Sequence, residues 1–169
     1  MLAPLEPVQE SVKDGPHWEI GGYTVHALAR FELEARVLGA ERYRMDRVAG
    51  LAPVDLALGW GPMSANEVLE PLSISQGGRY YYYSWSSYSD LKIRVDDIAR
   101  HSANMHMVPL DPTVRETLLS ARRGNLVKLT GWLVEARSPD GLTLKSSLTR
   151  RDTGTGACEL VAVETVELR

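Results

Sequence analysis

Tyr23-Thr24-Val25-His26-Ala27-Leu28-Ala29-Arg30-Phe31-Glu32-Leu33-Glu34-Ala35-Arg36-Val37 places an apolar or aromatic residue at every odd position. The even positions carry His26, Arg30, Glu32, Glu34 and Arg36. A period of two marks a strand with one face buried and one wet. A helix is the rival reading, since Glu32 and Arg36 are spaced i,i+4. The run exceeds the usual strand of five or six residues, and Leu28 puts an apolar side chain on the polar face. A bulge or bend is therefore expected near Leu28.

Downstream, Pro53 to Trp60 is a short apolar run closed by Gly59-Trp60-Gly61-Pro62, a turn that holds Trp60 at an exposed bend or as a wedge. Ser64 and Glu67 have capping-box spacing and predict a short helix that Pro71 ends. Gly77-Gly78 is a turn, and the four consecutive tyrosines of Arg79 to Trp85 suit a pleated strand. Val95 to Arg100 reads as one or two helical turns, and Met105 to Val108 as a brief strand stopped by Pro109. Asp111 as N-cap, Pro112 at the first helical position and Val114, Leu118 and Leu119 at core spacing predict the clearest helix, over about 112–121. Three strands should follow, Leu126 to Ala136, Leu142 to Leu148 and Leu160 to Leu168. Ser138-Pro139-Asp140-Gly141 and the polar loop from Arg150 to Glu159 would join them as a meander. The fold class is α+β, mainly antiparallel strands in a partly closed barrel or sandwich. Residues 1–16, with Pro4, Pro7, Gly15 and Pro16 and no periodicity, read as a flexible leader or linker, and 17–169 as one globular domain.

Composition narrows the function. The chain of 169 residues is 44% hydrophobic with a net charge of -3, and its charges are interspersed, which disfavours nucleic-acid binding. Its single cysteine, Cys158, excludes an intrachain disulfide and multi-cysteine zinc sites. Neither a Walker sequence nor a strand-GxGxxG-helix unit is present, so no cofactor is expected. No run reaches the roughly 20 apolar residues of a membrane-spanning helix. The proline-bearing start is what would remain had a signal or anchor been trimmed, so membrane association is expected only through such an anchor.

The stretch Gly124-Asn125-Leu126-Val127-Lys128-Leu129-Thr130-Gly131-Trp132-Leu133-Val134-Glu135-Ala136 resembles the opening strand of an OB-type barrel, with Gly131 at the point of strongest coiling. More broadly, Leu58 to Ser64, Ser75 to Tyr80, Ser102-Ala103-Asn104-Met105-His106 and Ser146 to Arg150 resemble a group of uncharacterised bacterial proteins, often predicted as anchored outside the cytoplasm. That resemblance implies an extracytoplasmic or periplasmic location, with a cytoplasmic one as the alternative, and supplies no activity.

Four groups of candidate site residues emerge. His106 with Asn104 offers an imidazole and an amide to orient it, while His101, five positions away, falls off any shared face and a joint metal site is not expected. Cys158 would add a thiol nucleophile to that pair, against the plainer reading of an inert core cysteine. Arg79, Arg150 and Asp152 lie beside glycine-rich turns and would bind a carboxylate, phosphate or sulfate if they converge. Tyr81, Tyr83 and Trp85 share one face of their strand, and Tyr80 and Tyr82 the other; one face must be core and the other is an aromatic platform or ordinary cross-strand pairing. Two functions follow. The first is a noncatalytic extracytoplasmic module that uses the aromatic face and nearby arginines to bind a protein partner or a small anionic ligand. The second is a hydrolase-like enzyme with His106 as acid or base, Asn104 orienting it, Arg79 and Arg150 stabilising charge, and Cys158 or water attacking.

Overall fold

The computed structural model describes residues 1–149 and 158–169. The alternating stretch forms β3, Tyr23–Arg42, with Val25, Ala29, Phe31, Leu33 and Ala35 buried. Its register against the strand Leu126–Arg137 (β8) shifts between Ala27 and Ala29, so the bulge falls where Leu28 breaks the alternation. One edge of β3 pairs with β8, and the other pairs in succession with β2 (His17–Ile20), β1 (Val8–Ser11) and β4 (Val54–Gly59), all antiparallel.

From β4 the sheet runs antiparallel to β7 (Ser102–Pro109), parallel to β10 (Glu159–Leu168), and antiparallel back to β8. Because β8 also pairs with β3, the eight-stranded sheet is partly closed into a ring of β3, β4, β7, β10 and β8. A short strand β9, Thr143–Lys145, extends from β8, and β5 (Ser73–Gly77) and β6 (Tyr80–Ser84) form a separate hairpin. Among the described residues three α-helices complete the fold: α1 (Asn66–Leu69), α2 (Val95–Arg100) and α3 (Pro112–Leu119). The main core lies within the ring, where Phe31, Leu56, Leu58, Met105, Met107, Leu129, Leu133 and Val161 pack together. Helix α3, capped by the Asp111 carboxylate accepting from Val114 N at 2.8 Å, adds Val114 and Leu118 to it.

Four expectations are corrected. The C-terminal strands are not a meander, since β10 inserts between β7 and β8. Glu159 to Val163 is buried throughout, as befits a strand with neighbours on both edges and packing on both faces. Its parallel pairing to β7 is permitted by the long connection through α3 and β8. The segment expected to open a closed sheet, β8, is the fourth ring strand in chain order, and β3 is the first.

The leader is laid onto the fold. Val8–Ser11 pairs with Ala29–Glu32, where the length of β3 beyond β4 leaves an edge to be covered. Ala3 is fully buried, its N–H donates to Ser64 Oγ at 3.0 Å and its carbonyl accepts from Gly61 N at 2.8 Å. Trp60, fully buried, takes the wedge position and donates from Nε1 to Glu6 Oε2 at 3.1 Å. The Ser64 hydroxyl is therefore engaged with Ala3 and the Gly61 carbonyl, and the N-cap of α1 is Ala65 with no side-chain cap.

Candidate functional site

Asp55 interrupts the apolar run of β4 and is fully buried, so its charge must be compensated locally. The β4–β7 register sets Asp55 directly opposite His106. His106 Nδ1 lies 2.9 Å from Asp55 Oδ1, an ion-pair contact outside hydrogen-bond angles. Two residues earlier on the same strand, Asn104 donates from Nδ2 to Asp55 Oδ2 at 3.0 Å and to the Arg79 carbonyl at 3.1 Å. Gln76 in turn donates from Nε2 to Asn104 Oδ1 at 2.9 Å, which fixes the amide orientation.

Arg79 occupies the β5–β6 turn after Gly78, and both have positive φ, +59° at Gly78 and +73° at Arg79. Such a pair of angles suits a tight two-residue hairpin, but a side chain at the second position is strained. Tyr43 offsets that strain. Its hydroxyl accepts from Arg79 N at 2.9 Å, and its ring lies 3.9 Å below the guanidinium carbon. The guanidinium donates to both Asp46 oxygens at 2.7 and 2.9 Å and from Nη1 to Asp55 at 2.8 Å. Burial works against the Arg79 charge, but Asp46 and Asp55 outweigh it and hold the group more firmly protonated than a free arginine. The expected role of Arg79 as a free anion clamp is thus corrected: both prongs are engaged by carboxylates, and the residue braces Asp55.

His106 has Asp55 on one side and shares a pocket with Cys158, whose thiol donates to the Arg79 carbonyl at 4.0 Å. Burial opposes its charged form, but Asp55 and Cys158 together push its pKa from 6.5 up to about 9. At neutral pH the imidazole is cationic. A raised folded-state pKa contributes stability that is fully present below pH 6.5 and is lost as pH rises through 9, on the order of 3 kcal/mol. Urea unfolding of the native chain is therefore expected to show falling stability from pH 6 to pH 9.5, and His106→Gln should flatten that slope. An unchanged slope would mean that His106 is not the group responsible.

His106, Arg79 and Cys158 face one pocket of about 330 Å³, closed by Val48, Tyr80, Leu160 and the whole of β9. Cys158 is partly exposed there. The structure thus brings Arg79, Asn104, His106 and Cys158 together from three places in the sequence; Arg150 and Asp152 lie outside the described residues. His101 stands apart at the end of α2, bonded through Nδ1 to Asp97 O at 2.8 Å and paired with Glu6 at 3.4 Å. The Tyr81, Tyr83 and Trp85 row packs against Leu38, Met63, Leu72 and Ile98 as the core face of its hairpin, and the outward face is Tyr80 and Tyr82. Tyr81 is engaged through its hydroxyl with Ser102, and burial pushes its pKa upward. Among the described residues no group of His, Cys, Asp and Glu side chains is arranged to hold a metal.

Sequence reasoning missed Asp55, Asp46, Tyr43 and Lys145. For Asp55 a signal existed, a carboxylate inside Val54-Asp55-Leu56-Ala57-Leu58. The other three carry no local mark, since their roles depend on what the ring brings beside them. No helix is long and apolar enough to cross a membrane among the described residues. No family model, curated protein or solved structure matches the chain significantly.

Proposed function

We propose that this chain is a thiol-dependent acyl-transfer enzyme of hydrolase type, with Cys158 as nucleophile, His106 as acid and base, and Asp55 orienting the imidazole. The observation that carries this reading is an imidazole paired with a buried carboxylate and lining the same open pocket as the thiol. The imidazolium stabilises negative charge on sulfur. The sulfur attacks a carbonyl carbon, the leaving group departs with the imidazolium proton, and water activated by the neutral imidazole then cleaves the thioester. Asn104 and the Arg79 guanidinium hold Asp55 in place, and the Arg79 carbonyl accepts from the Cys158 thiol at 4.0 Å.

An OB-like reading of the five-strand ring supports the location. In OB folds, ligands sit at the loops joining strands one to two and four to five. Here the first connection supplies Val48, and the connection from β8 to β10 supplies β9 and Cys158. The noncatalytic reading draws less support, because the rings it relied on face the core and Arg79 is already paired.

Alkylation by iodoacetamide followed by mass spectrometry tests the proposal. Cys158 in the folded chain should react at pH 7 at least about tenfold faster than in His106→Gln. With p-nitrophenyl acetate the native chain should release a stoichiometric burst of nitrophenol that Cys158→Ala lacks. Equal alkylation rates in the native chain and His106→Gln, with no burst, would overturn it.

A further inference from the structure

The pocket has one wall made of main chain. Strand β9 pairs with β8 through Leu144 opposite Ala136, and the flanking bonds run from Ser138 N to Leu142 O and from Ser146 N to Val134 O, each 2.9 Å. The even-numbered residues therefore turn their amides and carbonyls toward β8. In an antiparallel ladder the odd-numbered Thr143 and Lys145 must turn theirs away from it. Both residues are exposed, and the described residues supply no main-chain partner to either. All three residues of β9 line the pocket, whereas none of β8 does, so the free edge borders the cavity.

The same outer row continues to Ser147, whose N–H donates to the Cys158 carbonyl at 3.0 Å. Cys158 thus occupies the place beside Ser147 that a strand laid along Thr143 and Lys145 would reach next. Such a strand would end at the thiol-bearing residue.

We infer that the substrate is an extended peptide segment that adds to the free edge of β9 as a strand and so delivers a backbone carbonyl to Cys158. Resting on the reading of Cys158 as nucleophile, the inference adds the substrate class. Main-chain bonds to Thr143 and Lys145 give register, and Leu144, Leu160 and Val48 offer apolar contact to alternate side chains. A volume of about 330 Å³ limits the enclosed part of the segment to a short stretch.

The test compares the rate of Cys158 modification by an acetylated alanyl-leucyl chloromethyl ketone with that by iodoacetamide, each normalised to a free thiol. A second peptidyl reagent carries N-methylated amides. The peptidyl reagent should show an advantage of about tenfold or more, and methylation should remove most of it, as the loss of one or two hydrogen bonds requires. Thr143→Pro deletes an outward N–H without breaking a bond to β8 and should reduce the ratio of the peptidyl rate to the iodoacetamide rate about fivefold. Should that variant fail to fold, the methylated reagent on the native chain decides the matter. If iodoacetamide labelling depends on His106 but the peptidyl reagent gains nothing, or methylation has no effect, the strand inference falls and the nucleophile stands. If labelling is slow with both reagents and independent of His106, the nucleophile reading itself falls, and the inference with it.

Discussion

Asp55→Ala is expected to destabilise the fold by about 3 kcal/mol or more, the usual result of removing one partner from a buried ionic cluster. The carboxylate is fully buried and serves the Arg79 guanidinium, the Asn104 amide and the His106 imidazole at once. Arg79 retains both oxygens of Asp46 after the substitution, so the orphaned charge is His106. That imidazole would hold its proton less firmly, because burial favours the neutral form and only Cys158 is left to oppose it. Two measurements check this: a drop in the urea midpoint at pH 7, and a His106 titration, followed by proton NMR, that moves down from about 9. A loss under about 1 kcal/mol, the range of surface ion pairs, would show that Asp55 is solvated and the cluster peripheral.

Gly131→Ala should cost about 3 kcal/mol, at the upper end of overpacking penalties. A β-carbon at Gly131 would lie 2.0 Å from the Ala162 carbonyl oxygen and 3.1 Å from Val163 Cα, both main-chain atoms of β10. Gly131 pairs with Phe31 on one side and Val163 on the other, and the β8–β10 register shifts between Val163 and Thr165 immediately beyond. Glycine is needed there for close approach of two strands at a bulge. Gly77→Ala is the control: nothing lies within 4 Å of its β-carbon position, and its stability change should stay within about 0.5 kcal/mol. Thermal melts of the two variants would separate the cases, and similar melting temperatures would rule out the close approach at Gly131.

Much of the fold was legible because its signals are local. The alternation along Tyr23 to Val37, the break at Leu28, the Asp111-Pro112 start of α3 and the tyrosine strand each report one residue's relation to near neighbours in the chain. The order of the C-terminal strands was not legible. Leu126 to Ala136 and Leu160 to Leu168 show that strands exist, but which edge each seeks depends on where α3 returns the chain. The leader likewise carries no period, and it is ordered by the exposed edge of β3 and the pocket that receives Ala3.

For the candidate site, residue type was informative and partnership was not. His106, Asn104, Arg79 and Cys158 each stand out in the sequence by chemistry or by adjacent turns, yet Arg79 read as a ligand clamp proves to be a brace. The alternating faces, the helix start and the inventory of reactive side chains are local properties of the chain, because periodicity and capping act over a few residues. The pairing of Asp55 with His106 across the β4–β7 register, and the pocket that His106 shares with Cys158, come from long-range strand pairing. The reason is physical: a buried carboxylate takes its meaning from the charges that long-range strand pairing sets against it, and those lie far away along the chain.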